Sequence, residues 1–308
     1  MRRVLPRVVV DARAKLNLML AVGPRRADGY HDLVTVFQSV SLADTLIFEP
    51  QARGFSLRVR FEDVAAKGRP LSPAIPRGPD NLVLRAARRV AAELSLDHGA
   101  RITLIKRIPV AAGLGGGSAD AAATIAALPR LHRRRLSLER QLAIAAELGA
   151  DVPFARIGGT MLGLGRGETL VPVRLEKPFR AVIAHPAWGI STAHAYAEVD
   201  RRRLALTAKG AKLRSAEILG RKRLSETSLV RLGNTFERVL GERRSDFVSL
   251  RRRLGEAGAL AARLTGSGSA VFGVLGSGSP AVGVVGRFTG SERLYVVRST
   301  RRGLRLRH

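Results

Sequence analysis

Ile108-Pro109-Val110-Ala111-Ala112-Gly113-Leu114-Gly115-Gly116-Gly117-Ser118-Ala119-Asp120 is the stretch on which the reading of this chain turns, because it sets bare backbone where an anion can reach it. Before it, Ala100 to Lys106 alternates apolar and polar residues with β-branched members, as a half-buried strand does; after it, Ala119 to Leu128 is alanine-rich and almost unbroken. The order is therefore strand, glycine loop, helix. Four glycines in five positions remove the Cβ atoms that would hold a ligand off and permit positive φ, while the first turn of the helix has N–H groups without internal partners. Those donors and the helix dipole favour negative charge, so the run predicts a phosphate site. A flexible turn ahead of a buried helix would show the same glycines; Pro109 and Ser118 at the two ends, with a strand behind, favour phosphate. No Lys-Ser or Lys-Thr pair follows the glycines, which excludes a Walker A loop, and the Gly-x-Gly-x-x-Gly register of dinucleotide and protein-kinase loops is absent.

The 308 residues, 45% of them hydrophobic, can bury a substantial core and predict about two domains. The absence of cysteine from the sequence excludes disulfides, thiol nucleophiles and thiolate-held metal, and fits a reducing cytoplasm. Met1 to Asp11 carries basic residues without a sustained apolar core, so no signal peptide is expected. The uncharged run Leu264 to Gly286 is broken by glycine, serine and proline, unlike a membrane span, so no membrane partner is expected and the localisation reads as cytoplasmic. The formal charge of +28 comes from 53 lysines and arginines, nearly all arginine, against 25 acids. These are scattered through every segment, and aromatics make up only 5%, leaving few platforms on which bases could stack. Solvated helix faces are the preferred reading, with weak polyanion affinity the other; no specific nucleic-acid partner is expected, and either surface attracts anionic substrates. The six histidines show no metal-ligand spacing.

Along the chain, Val8 to Val22 reads as a strand or two around a turn at Ala14-Lys15-Leu16-Asn17, and Val34 to Phe48 as another extended pair. Asp80-Asn81 caps a helix to about Leu96, and Ser137 opens another that Gly149 closes, with Asp151 just beyond. A composition shift near Leu170 to Pro178 divides residues 1–172, which hold the glycine loop, from residues 173–308. The second half predicts a strand at Arg180 to His185, a polar helical stretch from Arg201 to Leu240, a helix near Ser245 to Ala257, short strands around Val271 and Val284, and a basic tail from Arg298.

Five motifs now stand in order: Ala14-Lys15-Leu16-Asn17-Leu18, Arg26-Ala27-Asp28-Gly29-Tyr30-His31, the Pro109 to Asp120 loop, Gly149-Ala150-Asp151-Val152-Pro153-Phe154, and Leu264-Thr265-Gly266-Ser267-Gly268-Ser269-Ala270. Together they resemble the motif set of the 4-diphosphocytidyl-2-C-methyl-D-erythritol kinase family, within the superfamily of galactokinase, homoserine kinase, mevalonate kinase and phosphomevalonate kinase. The second motif is the specific one. The resemblance implies an α+β fold of two domains, the N-terminal one like ribosomal protein S5 domain 2 and the C-terminal one ferredoxin-like, with the active site in the cleft between them. It also implies transfer of the γ-phosphoryl group of ATP to the 2-hydroxyl of the cytidine-linked methylerythritol, in non-mevalonate isoprenoid synthesis.

By the same resemblance, Asp151 is the catalytic aspartate that orients the hydroxyl and accepts its proton, and Lys15 the lysine that stabilises developing negative charge. Pro109, Gly113, Leu114, Gly115, Gly116, Gly117 and Ser118 hold ATP, with Mg2+ arriving on the nucleotide and Ser118 its contact; no resident metal is expected. Tyr30 and Tyr196 face each other across cytosine, His31 bonds its edge, Asn17 and Asp28 lie in the same motifs, and Gly266, Ser267 and Gly268 close over the substrate. Two positions depart from the family: Ala111 where glycine is common, and Ala119 where serine is common. Two other readings stay open. One is a sibling kinase acting on another alcohol, such as homoserine or mevalonate, against which Tyr30-His31 counts. The other is a silent RNA-binding relative of the S5-like fold, favoured by the charge and disfavoured by Lys15 and Asp151. A monomer or a homodimer fits either kinase reading.

Overall fold

The computed structural model describes residues 7–65, 75, 78–221, 223–276, 281–288 and 290–307. The chain opens with β1 (Val8–Arg25), which turns at Gly29 and returns antiparallel as β2 (His31–Gln51). β3 (Phe55–Phe61) leads to α1 (Leu82–Leu94), where the Asn81 side chain accepts from the Val83 N–H, a cap worth about 1 kcal/mol. β4 (Gly99–Lys106) lies between β2 and β3 and feeds the glycine loop into α2 (Gly116–Leu131). After α3 (Leu138–Leu148), capped by Ser137, come α4 (Val152–Ile157), β5 (Thr160–Leu164) and β6 (Thr169–Pro172). The chain then crosses to a second sheet with β7 (Arg180–His185), α5 (Thr192–Arg201), α6 (Ala208–Gly220), α7 (Glu226–Arg231), α8 (Arg244–Glu256), β8 (Ala259–Leu264), β9 (Val271–Leu275), α9 (Ala281–Arg287) and β10 (Arg293–Arg298). It comes back to the first sheet as β11 (Leu304–Arg307).

Among the described residues the first sheet runs β11-β1-β2-β4-β3, with β5 on β2 and β6 on β5; the second runs β10-β7-β9-β8. The two-part α+β architecture is the one the motifs implied. In the first part Val10, Leu46, Phe48, Ile102 and Leu104 pack under α1 and α2. α2 is buried on nearly every side, against β1, α1, α3 and α4, which is why its sequence is almost all alanine rather than amphipathic. Among the described residues, no helix is long and apolar enough to cross a membrane.

Three expectations are corrected. Val8 to Val22 lies in one strand, the simpler of the two readings, and Val34 to Phe48 in another rather than in a pair: in place of the turn stand two β-bulges, between Arg13 and Lys15 and between Asn17 and Met19. Because a one-residue slip exchanges the faces of a strand, Val10 and Ala12 join the cluster under α2 while Ala14, Leu16 and Leu18 join another, on the side of the second sheet. The run around Val284 is the helix α9, its short apolar sequence being compatible with either element. The basic tail carries β11, whose Leu304 and Leu306 pack on the core while Arg305 and Arg307 face outward.

Candidate active site

The bulges in β1 aim Lys15 and Asn17 at the point where two glycine loops meet. Asn17 is the hub. Its Oδ1 accepts from Lys15 Nζ at 2.5 Å and from the Gly266 N–H at 2.8 Å, its Nδ2 donates to Thr35 Oγ1 at 2.8 Å, and its own N–H donates to Thr265 Oγ1 at 3.0 Å. Thr265 donates onward to the Gly113 carbonyl at 3.2 Å, and the Ala270 N–H donates to the Ala112 carbonyl at 3.2 Å, so the loop after β4 and the loop after β8 are bound to each other. Asn234 supports the second loop from below, donating from Nδ2 to the carbonyls of Leu264 and Gly266. Thr265 stood in a motif without a role, and nothing in the sequence near Asn234 marked it.

The glycines serve this packing as well as any anion. Gly113 has φ +76°, and a Cβ there would lie 2.1 Å from the Thr265 carbonyl oxygen; Gly115 has φ +69°, and a Cβ there would lie 2.9 Å from Lys15 Cγ. Ala111, the departure from the family, sits at φ +55°, in the left-handed region where a Cβ costs about 1–2 kcal/mol. Part of that cost returns through the stiffer unfolded chain, so Ala111→Gly is expected to stabilise the protein by about 0.5 kcal/mol. Denaturant melts check this: a variant less stable than the parent would mean that position 111 carries no strain. Ala119 is buried in the apolar cluster of α2, where its methyl packs in the core.

Lys15 Nζ lies 3.7 Å from Asp151 Oδ2. Lys15 is buried and its ammonium lies 5.9 Å from the centre of the Phe37 ring, whereas the Asp151 side chain is 33% exposed and therefore open to a ligand. Burial lowers the Lys15 pKa from its ordinary value, and Asp151 opposes the shift. Asp151 occupies the N-cap position of α4 but makes no side-chain cap, so its carboxylate is not spent on the helix. Pro153 in the first turn needs no N–H partner there. At α2, the N–H groups of Gly116, Gly117 and Ser118 lead the helix from the Gly115 N-cap, and Leu114 contributes backbone alone, its side chain being buried and its carbonyl accepting from the Lys15 N–H.

Lys15, Asn17, Gly113, Gly115, Asp151, Gly266 and Ser267 line one cavity of about 1090 Å³, which Tyr30, His31, Tyr196 and Asp200 extend. Its walls come from both sheets. Tyr30 is 58% exposed, with the Arg166 guanidinium 5.0 Å from its ring centre. Tyr196 stacks on His31 with ring centroids 5.1 Å apart and makes a T-shaped contact with Phe236; burial, then the Asp151 charge, raises its phenol to about 12. Asp28 is not among the residues lining this cavity: its carboxylate accepts from the Tyr30 N–H at 3.1 Å and pairs with Arg26, folding its own turn. Gly268 packs against Ile190 and Leu264 behind the second loop. Pro109 and Ala111 border a separate cavity of about 490 Å³ with Trp188 and His185. Among the described residues no three His, Asp or Glu side chains gather to hold a metal ion.

A buried ammonium beside a partly exposed carboxylate, under two interlocked glycine loops and a helix N-terminus, is a site suited to anions, and the fold that carries it is that of the GHMP kinases. Residues 81–159 match the family described as GHMP kinases N terminal domain, and residues 213–288 that described as GHMP kinases C terminal. A 4-diphosphocytidyl-2-C-methyl-D-erythritol kinase of Pelotomaculum thermopropionicum is 40% identical over 82% of this chain and 83% of its own length. One from Rhodococcus jostii is 47% identical over 66% of this chain, and the match spans 63% of that relative. The crystal structure of a 4-(cytidine 5'-diphospho)-2C-methyl-D-erythritol kinase superposes with a TM-score of 0.74 at 32% identity, covering 94% of this chain and 98% of that one. A homoserine kinase from Cytophaga hutchinsonii shares the fold, with a TM-score of 0.69 at 18% identity over 100% of this chain and 99% of that one. The chain belongs to the 4-diphosphocytidyl-2-C-methyl-D-erythritol kinase family.

Proposed function

We propose that this protein transfers the γ-phosphoryl group of ATP to the 2-hydroxyl of 4-diphosphocytidyl-2-C-methyl-D-erythritol. The observation that carries the reading is the Lys15–Asp151 pair, 3.7 Å apart, in a cavity that also meets the glycine loop and the Tyr30-His31 motif. Phosphoryl transfer asks a protein mainly for positioning and charge, because the transition state is loose. Asp151 orients the alcohol and takes its proton late in the transfer; Lys15 balances the charge that develops there. The phosphates lie along the N–H groups of Gly116, Gly117 and Ser118. A second cavity beside the loop, about 240 Å³ and lined by Asn81, Leu82, Val110 and Gly117, gives the nucleotide base room. Magnesium arriving with ATP would neutralise charge on the phosphates, and the Ser118 hydroxyl is the oxygen ligand this loop would offer it.

The cytidine ring stacks on Tyr30. Tyr30→Ala is accordingly expected to raise the Michaelis constant for the cytidine substrate about 10-fold or more while that for ATP holds. Initial-rate kinetics with each substrate varied in turn check this, and equal effects on both constants would remove Tyr30 from cytosine binding. The function as a whole is tested by ADP release in the presence and absence of the cytidine substrate. Release that does not depend on it, or that depends on homoserine or mevalonate instead, overturns the reading.

A further inference from the structure

One helix delivers two side chains to one imidazole. Tyr196 and Asp200 stand a turn apart on α5: the first stacks on His31 at an interplanar angle of 18°, and the second meets His31 Nε2 with Oδ1 at 2.7 Å. His31 is 7% exposed, and all three residues line the cavity that holds Lys15 and Asp151. A carboxylate only accepts hydrogen bonds, so the proton between His31 and Asp200 belongs to Nε2. In the neutral ring Nδ1 is then left as an acceptor.

We propose that Asp200 is a positioning residue that fixes the tautomer of His31, and that this tautomer selects cytosine over uracil. The inference rests on the proposed cytidine substrate and goes beyond it, since the family motifs assign Asp200 no role. The ring centroids of His31 and Tyr196 are 5.1 Å apart, well beyond the roughly 3.5–4 Å contact of fully overlapped rings, so part of the Tyr196 face stays uncovered. A base lying there, coplanar with the imidazole, presents its Watson–Crick edge to His31. Cytosine offers Nδ1 an amino N–H at position 4. Uracil offers a carbonyl oxygen at the same place, which sets lone pair against lone pair and leaves both groups unpaired, a mismatch that discriminates by about 10- to 100-fold or more.

Two measurements on the full chain test this. Nitrogen-15 NMR of the His31 side chain in the substrate-free protein reads the tautomer without turnover: protonation at Nε2 alone is expected in the parent, and a mixture of tautomers in Asp200→Ala. Protonation at Nδ1 alone, or at both nitrogens at neutral pH, overturns the proposal. Steady-state kinetics then compare the cytidine-linked substrate with its uridine-linked analogue. Asp200→Ala is expected to reduce the preference for cytidine at least about 10-fold, through the Michaelis constant for the organic substrate, with that for ATP within about 2-fold of the parent. Asp200→Asn, whose amide can turn either its oxygen or its nitrogen to Nε2, is expected to hold the ring but lose preference. An undiminished preference in a folded Asp200→Ala overturns the proposal. A parent that phosphorylates neither substrate overturns the proposed function instead, and the NMR result still decides the tautomer.

Discussion

Asp151→Asn is expected to lower turnover by about 10²- to 10⁴-fold, roughly 3 to 5 kcal/mol of barrier, with little change in ATP affinity. The substitution keeps the size and planarity of the side chain and removes its charge and basicity. The helix that follows has no reason to notice, because the Asp151 carboxylate caps nothing and is partly exposed. The chemistry loses two things together. The acceptor hydroxyl loses the group that orients it and receives its proton, and Lys15 loses the carboxylate that opposes the effect of burial on its ammonium. Lys15 still bonds Asn17, so its position holds and the defect falls on the chemical step. Turnover by the purified variant at saturating ATP and cytidine substrate, with a thermal melt as control, decides the matter. Near-normal turnover in a folded variant removes Asp151 from the mechanism.

How far the site could be read from sequence depends on how local each contribution is. The glycine run, the helix after it and the Asn81 and Ser137 caps are settled by neighbours within a few residues, and these the chain states directly. The pairing of Lys15 with Asp151 came through ordered motifs, and no local pattern could have supplied it. What binds the two loops into one site was not legible: Asn17 meets Thr265 across 248 positions, and Asn234 meets the second loop from a segment with no pattern of its own. The bulges in β1 carry no glycine or proline to announce them and are not legible as bulges, yet they are what turns Lys15 toward the cavity. Asp28 has a role that its motif does not state: its carboxylate accepts from the Tyr30 N–H in the turn that presents Tyr30.

Beneath the glycine loop lies a cluster that neither the motifs nor the charge balance announced. Lys106 Nζ donates to Asp44 Oδ2 at 2.5 Å and to Asp120 Oδ2 at 2.7 Å, with all three side chains buried. Asp44 Oδ1 also accepts from the N–H groups of Arg107 and Ile108, so the cluster fixes the backbone where β4 gives way to the loop; a Cβ on Gly116 would lie 2.8 Å from Lys106 Nζ. Lys106→Met keeps most of the stem and leaves Asp44 and Asp120 buried without the cation they share, which is expected to destabilise the protein by about 3–5 kcal/mol at neutral pH. The deficit depends on pH with a definite sign. Burial holds the Asp120 carboxyl up at about 8 against the pull of Lys106, with Asp44 raising it further, and loss of the lysine can only raise it more. A carboxyl raised in the folded state contributes stability that is complete below its unfolded value, about 3.8, and that fades as pH rises through its folded value. The variant's deficit is therefore expected to change little between about pH 4 and 7, where Asp120 is protonated in both folded proteins, and to grow above about pH 8, where the parent's Asp120 ionises beside Lys106 and the variant's has no counterion. Urea unfolding of parent and variant at about pH 4.5, 7 and 8.5 measures it. A deficit under about 1 kcal/mol at every pH would mean that the loop's footing lies elsewhere, and a deficit that shrinks with rising pH would mean that the folded variant binds fewer protons than the parent, so that Asp120 is not the responding group.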